Sequence, residues 1–151
     1  TGGFTELVPL SFVYKDSPLY LENPKYVRKG PSTEEIKKMH AISRIMLNGW
    51  INNIQASWTK LGPEFAQQLL KVGVNDLGGT LMNESISRSA GSNFGQEITA
   101  MEMVKIIRNA DKIPARRSTI YKICETYESH DPKNLAPLVA RKGNDPLKFI
   151  N

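Results

Sequence analysis

The stretch Val74-Asn75-Asp76-Leu77-Gly78-Gly79-Thr80-Leu81-Met82-Asn83-Glu84-Ser85-Ile86-Ser87-Arg88-Ser89-Ala90-Gly91 decides how the rest of the chain is read. It opens as a short apolar strand, breaks at a double glycine, and continues as a dense polar run of Thr80, Asn83, Glu84, Ser85, Ser87, Arg88 and Ser89. A strand that delivers polar side chains at its C-terminal end is how α/β folds build sites. Solubility alone does not require this mixture.

Working outward, the preceding segments repeat the pattern of strand followed by helix. Val74 to Leu77 follows directly on a helix expected from Pro63, whose proline suits the first helical position, to a C-terminal Gly73. Phe65, Ala66, Leu69, Leu70 and Val72 supply its apolar face. A second strand is expected over Ile51 to Trp58. Before it, Ser32 and Glu35 have capping-box spacing, and Ile36, Met39, Met46 and Leu47 keep helical period up to Asn48-Gly49. His40 in that helix reads as a packing or surface residue. Phe4 to Val13 is a further strand candidate; Pro9 is awkward in a paired strand and tolerable only where pairing stops or bulges.

Strands alternating with helices predict a parallel sheet with right-handed crossovers. Between the first strand and the first helix, Tyr14 to Gly30 carries Pro18 and Pro24 and reads as an irregular loop anchored by Tyr14, Tyr20 and Tyr26. C-terminal to the polar run, Thr99 and Glu102 form another capping-box pair and open a helix to Ala110. Ile113 to Tyr121 reads as a short extended or looped piece. Residues 122–151 read as an irregular tail, broken by Pro132, Pro137 and Pro146.

Composition sets outer limits. A chain of 151 residues, 40% apolar and 23% charged, is long enough for one domain with a core and too apolar for wholesale disorder. No apolar run approaches the roughly 20 residues of a membrane span, and no signal peptide is visible, so a cytoplasmic location is expected. The net charge of +5 is spread along the chain without zinc-finger spacing or an RNP-like aromatic pattern, which argues against nucleic acid as a partner. The single cysteine, Cys124, forms no internal disulfide, holds no metal cluster by itself, and reads as a half-buried thiol.

Each expected strand ends in groups a pocket can use: Ser11 and Phe12 after the first, Gln55, Ser57 and Trp58 in the second, and Asp76, Gly78, Gly79 and Thr80 in the third. Strand alternation sends only every second side chain inward, and the sequence leaves open whether Gln55 and Ser57 or Ala56 and Trp58 do so. The double glycine either lets a ligand approach the backbone or serves a tight turn. Asp76 and Glu84 can accept from an amine, a ribose or a pyrimidine N–H, and Arg88 can pair with a carboxylate. The plainer alternatives are a capping Asp76, a surface Glu84 and an Arg88 bonded to one of them. No Ser-His-Asp set, zinc spacing or Walker loop is present.

Three runs, Gly3 to Phe12, Asn53 to Trp58 and Asn75 to Ser87, resemble the C-terminal part of the FO synthase subunit 2 family, radical S-adenosyl-L-methionine 4-hydroxybenzyl transferases of deazaflavin biosynthesis. The resemblance covers residues 2 to 121. It implies the last three βα units of a (β/α) barrel, with residues 1–121 as barrel and 122–151 as tail. It also implies a 4Fe-4S cluster held by CxxxCxxC, S-adenosyl-L-methionine as cofactor, and L-tyrosine and 5-amino-6-(D-ribitylamino)uracil as substrates. The ring-closing FO synthase subunit 1 is the implied partner. By the same resemblance Ser11, Gln55, Ser57, Trp58, Asp76, Gly79, Thr80, Asn83, Glu84 and Arg88 are substrate-binding candidates.

The chain departs from the family pattern because it has no CxxxCxxC, so the cluster-bearing half is expected to lie elsewhere in a longer protein and this piece alone to be inactive. Such a piece should expose a sheet edge and apolar barrel interior, and be marginally stable or associate. Two other readings compete. One is a sister radical enzyme such as aminofutalosine synthase of menaquinone biosynthesis; the other is a non-catalytic α/β ligand-binding module.

Overall fold

A computed structural model describes residues 3–81, 85–95 and 97–128. Among these, the helices are α1 (Pro18–Glu22), α2 (Thr33–Met46), α3 (Trp58–Leu61), α4 (Pro63–Leu69), α5 (Ile86–Ser89) and α6 (Ala100–Asn109), followed by strands β1 (Ala115–Arg117) and β2 (Ile123–Thr126). The mixed α/β class expected from the sequence is present.

The expected parallel strands are reduced to their minimum. Leu7 bridges Ile54 and Gln55 bridges Asp76, both in parallel. Backbone bonds at these bridges run from Leu7 N to Asn53 O and from Gln55 N to Leu7 O, each 2.9 Å. Ala56 N bonds Asp76 O at 2.9 Å and Asn75 N bonds Ile54 O at 3.1 Å. Pairing of the first segment is confined to Leu7, short of Pro9, which has no N–H to continue a ladder. The second segment pairs at Ile54 and Gln55 and does not reach Trp58, which opens α3.

Local signals explain the helix ends. Ser32 accepts from Glu35 N while Glu35 accepts from Ser32 N, the reciprocal capping box expected for α2; Thr99 and Glu102 do the same for α6. Pro63 sits in the first turn of α4. The segment read as a loop contains α1, with Pro18 in its first turn; Tyr14 and Tyr20 pack edge to face at 5.0 Å, whereas Tyr26 is exposed. Within the polar run, Ile86–Ser89 forms the single turn α5.

The core lies on one face of the bridged segments. Ile54, Ala56, Ala66 and Leu69 are fully buried and cluster with Ile36, Trp58, Leu61, Leu70, Val74 and Leu77. His40 is buried in the same region, its Nδ1 at 2.8 Å from the Ile36 carbonyl, so it packs rather than facing solvent. Arg44 fastens α2 to the N-terminal ends of the bridged segments. Its guanidinium donates to the carbonyls of Gly73 (2.7 Å) and Asn52 (2.8 Å) and to Asn75 Oδ1 (2.7 Å). Asn75 Oδ1 also accepts from Ile54 N at 2.9 Å, so one side chain links α2 to two segments.

Large apolar side chains are exposed on α2 and the turn after it, at Met39, Ile42, Ile45, Met46 and Trp50, and also on the first segment, α1 and the C-terminal hairpin. The face of the bridged segments opposite the helices carries the polar side chains of Glu6, Gln55 and Asp76, with Phe4 and Leu10 exposed on the first segment. Beyond Tyr121, where the sequence reading placed the start of the tail, β2 pairs antiparallel with β1: Ala115 opposes Thr126, Arg116 opposes Glu125 and Arg117 opposes Ile123. Among the described residues, Cys124 is exposed on β2, not half-buried. No helix among the described residues is long and apolar enough to cross a membrane.

Candidate functional site

Parallel register puts Gln55 and Asp76 side by side, on the face opposite fully buried Ile54. Glu6, next to bridged Leu7, falls on that same face. The open question of which side chains point where is thereby settled for Ile54, Ala56 and Gln55.

Asp76 is the centre of the polar face. Its side chain is 8% exposed, and its Oδ1 accepts the Gly78 N–H at 2.6 Å. Arg117 closes on it as a fork, Nη2 donating to Oδ1 at 3.0 Å and Nε to Oδ2. This geometry matches carboxylate to guanidinium bidentately, the stronger form of such a pair. The ion pair raises the Arg117 pKa further above its ordinary value, through the hydrogen bond to Asp76 first and against partial burial. Breaking one partner of a half-buried pair of this kind costs on the order of 1–3 kcal/mol, below the value for full burial because Arg117 keeps some solvent.

Arg117 is in turn held by Tyr121. Its Cζ lies 4.0 Å from the Tyr121 ring centroid, within cation–π range. The Tyr121 hydroxyl donates to Glu6. Burial, then this bond to Glu6, pushes the phenol above its ordinary value. Tyr121 has φ 62°, a left-handed conformation costing an aromatic residue about 1–2 kcal/mol, sustained because ring and hydroxyl are both engaged.

The double glycine serves a close approach, but of a side chain. Gly78 has φ +76°, and a Cβ there would sit 2.8 Å from Gln55 Nε2. Gly79 has nothing within 4 Å of where its Cβ would be, and its carbonyl accepts from Trp58 Nε1 at 3.1 Å. Gln55, Trp58, Asp76 and Gly79 are thus brought together. Thr80 follows on the exposed side.

Other candidates sit apart from this cluster. Ser57 is buried and paired with Thr59, Oγ to Oγ1 at 3.0 Å, so it stiffens the start of α3. Ser11 lines an open groove of about 510 Å³ with Leu10, Phe12, Lys60, Ser87 and Ser89. There Lys60 Nζ donates to Ser87 Oγ at 2.8 Å. Arg88 is exposed on α5. Asn83 and Glu84 lie outside the described residues.

Sequence reasoning missed Glu6, Arg117 and Tyr121. Glu6 is a lone charge inside the apolar strand candidate Phe4 to Val13. Arg117 and Tyr121 lay in a piece without periodicity, and their partners are 41 and 115 residues away. The detectable signal was a charge at an otherwise apolar strand position, which requires a partner if it faces inward.

The fold and this face define an α/β unit whose helices cover one side of short parallel segments and whose polar groups gather on the other. The chain belongs to the CofH/MqnC C-terminal region family, matched over residues 1–130. It is 50% identical over 121 residues to a protein named FO synthase from Mycobacterium leprae, covering 80% of this chain and 14% of that protein. It is 47% identical over 125 residues to 5-amino-6-(D-ribitylamino)uracil--L-tyrosine 4-hydroxyphenyl transferase of Methanothermobacter thermautotrophicus, covering 83% of this chain and 34% of the relative. Identity to the Methanosarcina mazei protein 5-amino-6-(D-ribitylamino)uracil--L-tyrosine 4-hydroxyphenyl transferase 1 is 46% over 140 residues, covering 90% and 36%. The chain therefore spans between 14% and 36% of the length of these relatives.

Proposed function

We propose that the chain forms the C-terminal, substrate-binding part of a radical S-adenosyl-L-methionine transferase that joins the 4-hydroxybenzyl group of L-tyrosine to 5-amino-6-(D-ribitylamino)uracil. The observation that carries this reading is the 46–47% identity to relatives whose printed names include 5-amino-6-(D-ribitylamino)uracil--L-tyrosine 4-hydroxyphenyl transferase. The two parallel bridges and the helices on one face of them support a reading of residues 1–121 as the closing βα units of a (β/α) barrel. The ring-closing FO synthase subunit 1 is the proposed partner, and the cytoplasm the proposed location.

The 4Fe-4S cluster does not fit on these residues. The sequence has one cysteine, and no group of three or more His, Cys, Asp or Glu side chains among the described residues could hold a metal ion. Cluster and S-adenosyl-L-methionine chemistry is therefore assigned to parts of the protein other than this chain. What this chain's residues can do is bind and orient. The Gln55 amide offers both a donor and an acceptor beside Gly78, a pairing suited to the alternating N–H and C=O groups of a pyrimidinedione. Asp76 uses three of its roughly four acceptor positions on Gly78 and Arg117, leaving room for about one further donor.

Product analysis of the longer protein with tyrosine, S-adenosyl-L-methionine and the ribityl pyrimidine tests the reading. The expected result is the 4-hydroxybenzyl adduct. Turnover of a different acceptor, with no adduct to the pyrimidine, would move the protein to the sister enzymes of menaquinone biosynthesis.

A further inference from the structure

The hairpin that carries Arg117 and Tyr121 reaches back to the bridged segments. Arg117 takes both carboxylate oxygens of Asp76, and Asp76 at the same time takes the Gly78 N–H. The orientation of the carboxylate, and with it the Asp76–Gly79 turn, is thus set from the hairpin. The turn passes this on to two candidate substrate groups: Gln55, whose amide occupies the space left by the missing Gly78 side chain, and Trp58, which donates to Gly79 O. Arg117 is itself constrained on its flat face by the Tyr121 ring, and Tyr121 is tied by its hydroxyl to Glu6. The result is a continuous chain of contacts, Glu6 to Tyr121 to Arg117 to Asp76 to Gly78, joining three parts of the sequence.

We infer that Glu6, Arg117 and Tyr121 are positioning residues, which act on bound substrate through Asp76 and the Gly78-Gly79 turn without touching it themselves. The inference rests on the transferase reading for its catalytic part and on geometry alone for its structural part. A lysine cannot replace Arg117, because an ammonium is a point charge and lacks the fork that grips both oxygens. Tyr121 contributes through ring and hydroxyl separately, so removing the hydroxyl frees Glu6 while leaving the stack.

The test uses Arg117→Met, Arg117→Lys and Tyr121→Phe in two measurements. In the full 151-residue chain, hydrogen exchange is followed at the amides of residues 76–80. In the longer protein, kcat and KM for adduct formation are measured. Loss of orientation of this order lowers rate by roughly 100-fold. Expected are faster exchange at 76–80 in both Arg117 variants and a fall in kcat of that order. A smaller fall of about 5-fold is expected in Tyr121→Phe, by analogy with the loss of one hydrogen bond of about 1 kcal/mol. Arg117→Lys should fail to restore the rate, which a merely structural requirement for positive charge would not predict.

Unchanged exchange at 76–80 in Arg117→Met overturns the inference. So does wild-type kcat and KM in that variant once exchange is faster, since the hairpin would then be structural only. If the unmutated longer protein makes no adduct, the transferase reading fails separately, and the exchange measurement alone decides whether the hairpin sets the turn.

Discussion

Ile54 and Gln55 are neighbours in sequence and opposites in surroundings. Ile54 is fully buried among apolar side chains of the helical layer, while Gln55 faces Asp76 and the Gly78 turn. Each side of the bridged segments has its own arginine. Arg44 donates to two carbonyls and the Asn75 side chain, all neutral acceptors, and so completes backbone hydrogen bonding where the segments begin. Arg117 grips a carboxylate from a hairpin far along the chain. The helix side is built mainly of apolar contacts, whereas the polar side concentrates charge that costs desolvation and is kept in one arrangement.

The largest expected effect breaks the helix side. Leu69 is fully buried in the core cluster, so Leu69→Ala should destabilise by about 2–5 kcal/mol through lost burial and the cavity left behind. Chemical denaturation of the 151-residue chain measures it. A loss under 1 kcal/mol would mean that the helical layer does not carry the fold.

A smaller and more selective effect is expected from Gly78→Ala. The left-handed φ of +76° costs a non-glycine residue about 1–2 kcal/mol, and the new Cβ displaces the Gln55 amide. Adduct formation in the longer protein should fall by more than the stability loss accounts for. A loss of activity that only tracks the loss of folded protein would place Gln55 outside the site.

The smallest effects are those of pH, and they act on opposite sides. Hydrogen bonds from Arg28 and from the backbone and side chain of Ser32 lower Glu35 from its ordinary 4.5 to about 2. Its contribution to α2 is present above pH 4.5 and is lost as pH falls from there toward about 2. Tyr121 is shifted the other way, by burial first, above its ordinary 10.0. Its contribution is intact below pH 10 and fades as pH rises beyond that value, because the unfolded phenol ionises first. Acid should therefore fray the start of α2, and alkali should loosen the hairpin. Amide exchange across pH reads both; alkaline loosening that persists in Tyr121→Phe would assign it to another group.

What the sequence made legible follows the range of the interactions. Both capping boxes, the Pro63 helix start and the strand–helix alternation are set within a few residues and were read directly. The strands shrank to bridges because each short parallel contact is fixed by register between distant segments, which periodicity does not encode. The clustering of Gln55, Trp58, Asp76 and Gly79 was legible as residues at strand ends. Their arrangement was not, since it depends on Gly78 making room for Gln55 and on Arg117 reaching back 41 residues. Ser57, read as a ligand group, turned out to spend its hydroxyl on Thr59 two residues on.

The proposed function puts substrate on the polar face and none on the helix face. The most direct measurement is adduct formation by the longer protein carrying Gln55→Ala, paired with its melting temperature. Gln55 makes no core contact of the kind Ile54 makes, so adduct formation should drop by at least about 10-fold, the loss of roughly 1.4 kcal/mol of recognition, with little change in melting. Wild-type adduct formation in Gln55→Ala would contradict the claim and move the substrate away from the Gln55–Asp76 face.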